Sequence, residues 1–333
     1  MNFKNLYLIV FLLVAELGFS QEVLPVYSDY LSDNYYLLHP SMAGAASCAK
    51  VRLTARQQWF GQEDAPALQT LSFNGRVGER SGAGIIVMND KNGYHSQKGA
   101  KLTYAHHLLF SRDEIDLNQL SFGMSVGFAQ SSLDESTFYV GNPTFDPSIA
   151  GIEQRANYFN VDIGASYNYL DFYIHGTVKN ALSSERKLYT DREPVDLKRV
   201  VFNTGYTFGD SETIMWEPSI MFQYVSQTKE SLMDFNVKVY KELDMGKLWG
   251  GISYRRSLDG SQYINGNNAI ATQKLQYITP ILGFNYKSYM IAYTYSSLLG
   301  NVKFDTGGFH QITLGINLFC NPDKYHCNCP AVN

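Results

Sequence analysis

"FNVDIGASYNY", Phe159 to Tyr169, alternates with a period of two. Phe159, Val161, Ile163, Ala165, Tyr167 and Tyr169 fall on one face of an extended chain, and Asn160, Asp162, Gly164, Ser166 and Asn168 on the other. One face is apolar and aromatic, the other small or polar. The pattern returns at Leu120, Phe122, Met124, Val126 and Phe128 against Ser121, Gly123, Ser125, Gly127 and Ala129, and at Trp216, Pro218, Ile220, Phe222 and Tyr224 against Glu217, Ser219, Met221 and Gln223. It closes the chain at His310, Ile312, Leu314, Ile316 and Leu318 against Phe309, Gln311, Thr313, Gly315 and Asn317. Strands of soluble sandwiches also alternate, but typically for about 5–6 residues, whereas a tilted strand needs roughly 10 to cross hydrocarbon. The runs here have the length of membrane-crossing strands.

Fourteen such segments are expected, at 50–60, 66–77, 81–89, 99–109, 117–129, 158–170, 171–181, 198–208, 213–225, 233–242, 246–257, 273–285, 288–298 and 309–319. An even count returns both ends of an antiparallel barrel to one side. Connection lengths sort by parity. The even links, "VGERS", "SRDEI", "YLD", "FGDSE", "LDMGK" and "NYKS", are tight. The odd links include Asn89 to Lys98, Ser131 to Asn157, Leu182 to Leu197, Leu258 to Thr272 and Leu299 to Gly308; only "GQEDAP" and "VSQTKES" among them are brief. Outer-membrane barrels have short periplasmic turns and longer outer loops, so both termini are expected in the periplasm. The fold class is all-β, a transmembrane antiparallel outer-membrane β-barrel. Its last strand, "HQITLGINLF", ends on the aromatic Phe319, as an interfacial girdle requires.

Composition agrees. Aromatic residues make 14% of the chain and charged ones 17%, with 27 glycines, and no stretch downstream of the N-terminus supplies the ~18 continuous apolar residues of a membrane helix. A net charge of −4 argues against nucleic acid as a partner. At the start, Lys4, the apolar run Leu6 to Ala15, and small Gly18 and Ser20 before Gln21 have the layout of a secretory signal. The expected organisation is a signal at 1–20, an N-terminal periplasmic lead or partial plug at 21–48, the barrel at 49–319 and a cysteine-containing periplasmic tail at 320–333.

The lead holds "YYLLHPSMAG", Tyr35 to Gly44, which has neither strand nor helix periodicity. Pro40 bars helix continuation and biases His39 toward extended geometry, while Ala43, Gly44, Ala45 and Ala46 remove bulk where backbone passes close to something. A fourteen-strand wall of small residues cannot fill its own interior. Two readings stand: the lead tucks into the periplasmic mouth with Tyr35, Tyr36, Leu37 and Leu38 against the wall, or it only introduces the first strand. Cys48 precedes the first strand, and Cys320, Cys327 and Cys329 follow the last, so all four thiols gather at one rim in an oxidising compartment. At least one disulfide from Cys48 to the tail is expected, with Cys320 nearest; the pairing stays open, as does metal binding by "HCNC" with His326. His106 and His107 are adjacent and face opposite ways, which disfavours a metal pair. No phosphate-cradling glycine loop and no nucleophile with His and acid partners can be argued from spacing, so no enzyme and no cofactor is expected.

"YLSDNYYLLHPSMAGAA", followed by "VRLTARQQWFGQEDAPALQTLSFNG" and "GAGIIVMNDKNG", resembles the PorP/SprF family of outer-membrane proteins of the type IX secretion and gliding machinery of the Bacteroidetes. In that family an Asn-Pro-Ala-x-x-Gly element precedes an Arg-Gln-Trp segment. Here His39 stands for the Asn and Ser41 for the Ala, while Pro40, Ala43, Gly44, Arg56, Gln58 and Trp59 keep the pattern. The resemblance implies an integral outer-membrane barrel that binds the C-terminal domain of a large secreted adhesin and aids its translocation or anchoring. It also implies contact with periplasmic and outer-membrane lipoprotein components and with outer-membrane lipid. His39, Pro40, Gly44, Arg56, Gln58 and Trp59 are the family-motif candidates, and the loops 131–157 and 182–197, long and chemically mixed, are the first candidates for adhesin contact. The alternative is a passive porin or a fatty-acid-type channel. Lumen-facing sets of Ser, Gly, Asn, Gln and Thr with few charges speak against the porin.

Overall fold

The computed structural model describes residues 31, 34–58, 64–111, 116–138, 151–182, 198–210, 213–264, 270–299 and 308–320. The wall is a closed barrel of fourteen antiparallel strands: β1 (Ala49–Gln58), β2 (Ala67–Gly78), β3 (Ser81–Asn92), β4 (His95–Leu109), β5 (Asn118–Asp134), β6 (Glu153–Tyr169), β7 (Phe172–Lys179), β8 (Arg199–Tyr206), β9 (Met215–Val225), β10 (Ser231–Leu243), β11 (Gly246–Ser257), β12 (Gln276–Tyr286), β13 (Tyr289–Leu298) and β14 (Phe309–Leu318). Each pairs with its neighbours in sequence, and β14 returns to β1 in unbroken register from Ala49↔Leu318 to Gln58↔Phe309. Phe208–Gly209 continues β8 along β9, and a separate hairpin, Ser261–Ile264 with Ile270–Gln273, lies in the β11–β12 connection.

Burial is inverted relative to a water-soluble β protein. Leu53 is 46% exposed while the adjacent Arg52 is 3% exposed. Leu71, Met124, Ile163, Ile252, Leu282 and Leu314 are exposed, and Ser72, Ser125, Asp162, Ser253 and Thr313 are buried. The dyad pattern therefore directs its apolar set outward to lipid and its polar set inward.

The tight links lie at one rim. Gly78↔Ser81, Tyr169↔Phe172, Leu243↔Gly246 and Tyr286↔Tyr289 close over two residues each, and the start of β1 and the end of β14 share this rim. Cys48 and Cys320 form a disulfide there, just beyond the Ala49↔Leu318 pair. Two expectations about the opposite rim need correction. The link expected at 89–98 is a continued ladder turning at Gly93 and Tyr94, with Asn92 opposite His95. Likewise 131–134 and 153–157 are strand, with Asp134 opposite Glu153, so the connection shrinks to 135–152. Backbone pairing continues where side-chain alternation stops, because the ladder needs only hydrogen bonds, whereas alternation reports contact with lipid. A third correction concerns charge. Lys50, Arg52, Asp162, Lys179, Glu217, Asp234 and Lys238 are buried on the inner face, spread one or two to a strand, so no single strand looked charged.

Residues 34–46 lie inside the barrel, near the tight-turn rim, as two single 3-10 turns, Tyr35–Leu37 and Pro40–Met42. Pro40 takes the first position of its turn with His39 extended before it, the geometry a proline imposes on both. The wall bonds the segment's polar groups in turn, leaving only the buried Nε2 of His39 without a hydrogen-bond partner among the described side chains of the segment. Asn34 Nδ2 donates to Ser72 Oγ (3.0 Å), Tyr36 OH to Thr103 Oγ1 (2.8 Å), and Lys179 Nζ to the Leu37 carbonyl (3.0 Å). His39 Nδ1 meets Thr177 Oγ1 at 2.9 Å, and Ser41 Oγ meets Ser166 Oγ at 2.6 Å. His107 Nε2 lies 3.1 Å from the Ala43 carbonyl, which can only accept, so this nitrogen carries the proton and Nδ1 accepts from Ser121 at 2.8 Å. Leu31, Tyr35, Leu38, Met42 and Ala45 share an apolar cluster with Met221, Tyr240, Trp249, Ile281 and Met290 on the far wall, so the segment is packed from both sides. Full burial of side chains such as Leu38 and Met42 contributes about 1.5–3 kcal/mol each.

Close approach explains two glycines. Gly44 has φ +66 and lies so near the Gly75 carbonyl that a Cβ would stand 2.6 Å from its oxygen; its amide donates to Asn74 Oδ1 and its carbonyl accepts from Arg76 Nε, each at 3.1 Å. On the wall, a Cβ at Gly123 would collide with the Pro40 carbonyl carbon and the Ser41 nitrogen. Burial, then His175 and Lys179, hold the His39 imidazole well below its usual value of 6.5, so the docked ring is neutral.

Three outcomes follow from this packing. Gly123→Val leaves a heat-modifiable barrel but displaces the segment at a cost of about 1–3 kcal/mol, read as faster maleimide labelling of Ser41→Cys; unchanged labelling contradicts the steric account. Since the docked His39 pKa lies below the free one, protonation favours the undocked segment as pH falls below about 6.5 and has no effect above it. The same cysteine should label faster toward pH 5, and His39→Asn should flatten that dependence. Removing the Cys48–Cys320 bridge, which closes a span of 272 residues, lowers barrel stability by about 2–4 kcal/mol in heat-modifiability gels.

Candidate functional site

Beyond the segment, toward the long-loop rim, the lumen opens into a vestibule of about 810 Å³. The lining comes from the long-loop ends of the strands: Arg56 and Gln58 of β1, Leu68 of β2, Asp90 and Asn92 of β3, Arg199 of β8, Gln223 and Val225 of β9, Arg255 of β11, Tyr277 and Thr279 of β12, and Phe309 of β14. Leu31 also lines it, and because Leu31 belongs to the apolar cluster below, it forms a floor shared with the segment.

One corner is built from cation and ring. The Arg56 guanidinium lies over the Phe309 ring, 4.3 Å from its centroid, and Phe309 meets Tyr277 edge-on at 5.6 Å. Closure places these three together, since Gln58 pairs with Phe309 across the seam and β12 stands two strands away. Arg255 is gripped by Asp234 through Nε–Oδ1 and Nη2–Oδ2 contacts of 2.6 Å each, a bidentate pair that fixes the guanidinium plane. Around the mouth the sign changes. Glu230 and Asp259 stand in the connections beyond the strand ends. Asp259 accepts from the Ser231 amide at 2.6 Å and from its hydroxyl at 2.7 Å, and these bonds hold its carboxyl below the usual carboxylate range.

Below the vestibule, beside the segment, a polar cluster surrounds Glu217 of β9. Its carboxylate accepts from Tyr35 OH at 2.8 Å, from Tyr173 OH at 2.7 Å and from Tyr240 OH, with Lys238 Nζ at 3.6 Å. Lys238 also lies 4.9 Å from the Tyr240 ring centroid and 5.2 Å from that of Trp249. A buried carboxylate with three phenols and an ammonium is satisfied on all sides, which suits a joint between segment and wall.

The motif candidates thus separate into two levels. His39, Pro40 and Gly44 belong to the docked segment; Arg56 and Gln58 line the vestibule; Trp59 lies outside the described residues, as do Cys327, Cys329 and His326 and most of 182–197. Sequence reasoning missed Arg199, Arg255 and Asp234, and missed the role of Glu217 although its inward position was readable from the alternation. Among the described residues no group of three or more His, Cys, Asp or Glu side chains is arranged to hold a metal.

No curated protein sequence matches the chain. Among solved structures, a deletion mutant of the TodX monoaromatic hydrocarbon channel is 12% identical with a TM-score of 0.50, covering 90% of this chain and 99% of that one. A Pseudomonas aeruginosa FadL homologue is 9% identical with a TM-score of 0.50, covering 91% and 96% respectively. At such identities the likeness is one of fold, that of outer-membrane barrels. The family model described as "Type IX secretion system membrane protein PorP/SprF" matches residues 19–316, so the chain belongs to the PorP/SprF family of integral outer-membrane barrels of type IX secretion.

Proposed function

We propose that this barrel is a non-enzymatic holder of exported protein: it binds the C-terminal domain of a large secreted adhesin at the long-loop face and aids its translocation or anchoring. In this reading the tight-turn rim, with the Cys48–Cys320 bridge, faces the periplasm and the lipoprotein components of the secretion machinery. The observation that carries it is the family match over residues 19–316, joined to a lumen whose tight-turn half is occupied by residues 34–46. A lumen packed by its own chain and floored by Leu31 suits a docking surface better than a free passage. The connections at 135–152 and 180–198 are long in sequence and mix polar, charged and aromatic residues, the chemistry a protein partner can use.

The rival reading is a channel for small apolar solutes. Its support is the shared fold with the TodX channel at 12% identity, and the charged, hydrogen-bonded vestibule lining argues against it.

Mild-detergent purification of the tagged barrel from its native outer membrane distinguishes the two. The expected outcome is a stoichiometric large exported protein retained through its C-terminal domain, with recovery falling about tenfold, or ~1.4 kcal/mol, when 184–196 are replaced by a short Gly-Ser link. A bare barrel that gives steady conductance steps in a planar bilayer would instead establish the channel.

A further inference from the structure

We infer that the long-loop end of β6 is a strand-addition site, where an extended segment of the exported partner joins the open edge of the sheet outside the hydrocarbon. This rests on the holding function proposed above and names the surface by which the partner is held.

β6 outlasts its neighbour. It pairs with β5 along its whole length, Glu153 to Tyr169, but with β7 only from Ile163 to Tyr169. Two side chains of β6 end the ladder to β7. Asn180 takes φ +53, its amide donates to Asp162 Oδ1 at 2.9 Å, and its Oδ1 accepts from Asn160 Nδ2 at 3.1 Å, which turns the chain away from the strand. The last main-chain bond across this edge runs from the Ala181 amide to the Val161 carbonyl. Main-chain groups alternate sides along a strand, so those of Phe159, Asn157, Arg155 and Glu153 point the same way as those of Val161. Among the described residues none pairs with them there.

The edge lies outside the apolar belt and is held in place. Val87, Ala100, Phe128 and Phe159 stand side by side as an outward apolar row on β3 to β6, and the next row is Asn89, Lys98, Gln130 and Asn157. The hydrocarbon therefore ends near Phe159. On the other side the β5–β6 hairpin is braced by the β3–β4 hairpin: the Asp134 amide donates to the Tyr94 carbonyl at 3.0 Å, and Tyr94 meets Phe138 edge-on at 4.7 Å. Open edges are ordinarily blunted by proline, lysine or a bulge. "EQRANYFNV", Glu153 to Val161, has neither proline nor lysine and keeps unbroken register with β5. Its two charges answer each other, Arg155 Nη2 to Glu153 Oε2 at 2.6 Å.

The occupant follows from the order of side chains. From the membrane outward the edge offers apolar Phe159, polar Asn157, basic Arg155 and acidic Glu153. The complementary strand carries an apolar residue at the boundary, then an acid and a base beyond it. A second copy does not fit. Two barrels in one membrane bring their β6 edges together at equal height and in the same direction, which sets each N–H against its own counterpart.

The test uses the complex purified from the native outer membrane and the bare barrel separated from it. Hydrogen exchange in the peptide 152–161 is expected to show fast amides at Glu153, Arg155, Asn157 and Phe159 of the bare barrel, slowing about tenfold in the complex. Asn157→Pro removes one edge N–H and spares the β5 ladder. It is expected to lower recovery of the partner about tenfold, whereas Asn157→Ala keeps recovery within about twofold. Should Asn157→Pro lose heat-modifiability, exchange in the wild-type complex decides alone. Fast exchange of these amides in the complex, or equal recovery with Asn157→Pro, removes this site and leaves the holding function standing. Equal loss with Asn157→Ala overturns main-chain pairing in favour of side-chain recognition. Slow amides in the bare barrel also overturn the inference, and their release on replacing 184–196 by a Gly-Ser link would identify the chain's own loop as the cover. A barrel that retains no exported protein removes the holding function and this occupant together.

Discussion

Everything in this barrel depends on the β1–β14 pairing. In hydrocarbon an unpaired sheet edge leaves a row of N–H and C=O groups without partners, each at a cost of several kcal/mol, so the sheet has to close. Ten consecutive residue pairs, Ala49↔Leu318 to Gln58↔Phe309, perform that closure, and the Cys48–Cys320 bridge stands at its end. Closure with fourteen strands fixes the diameter, and with it a second requirement. The inner face carries many Ser, Gly, Thr and Asn residues between its scattered longer side chains, too short to meet across the axis, so the lumen is either wet or filled by something else. In the tight-turn half it is filled by residues 34–46 of the same chain.

Filling a polar lumen differs from filling an apolar core. Each buried hydroxyl, imidazole and carboxylate on the wall is costly unless bonded, and satisfying it gives position as well as stability. The segment meets this with one partner after another: Ser72 for Asn34, Thr103 for Tyr36, Thr177 for His39, Ser166 for Ser41, and Asn74 and Arg76 for Gly44. Glu217 gathers Tyr35, Tyr173, Tyr240 and Lys238 at a single point, so the carboxylate that would be most expensive alone becomes the joint between segment and wall. A sliding displacement by one residue would break all of these bonds together, which is why a short 3-10 stretch can occupy a definite position.

The wall was legible because lipid imposes a period of two on every strand. Segments such as Phe159 to Tyr169 and Leu120 to Phe128 declared both their extended geometry and their faces, and parity of the connections declared the order of the rims. What failed to show were the parts governed by other physics. The ladder from Asn89 to Asn92 and from Glu153 to Asn157 runs beyond the region where alternation carries information. The inner charges are scattered, and Lys101 with Asp162 or Arg255 with Asp234 become pairs only when strands or hairpins bring them within reach. The vestibule was the least legible part, since Arg56 reaches Phe309, and beyond it Tyr277, only through closure of the seam.

The same closure explains how a short stretch of sequence comes to serve two levels of one lumen. His39, Pro40 and Gly44 lie in the segment, Cys48 at the tight-turn rim, and Arg56 and Gln58 at the vestibule, all within twenty residues of chain. From Gly44 the chain descends to the rim, reverses at the disulfide, and climbs β1 to the opposite end. β1 is thus the wall that the segment leaves from and also the seam strand that carries the Arg56 corner. A displacement of the segment would be resisted at its root by the bridge and the β14 ladder. The floor of the vestibule, by contrast, is Leu31, on the far side of the segment from that root. Any change in the segment's packing therefore reaches the vestibule through its floor while the Arg56 wall stays fixed. The geometry makes the shape of the vestibule depend on a docked peptide and its chemistry depend on a locked strand.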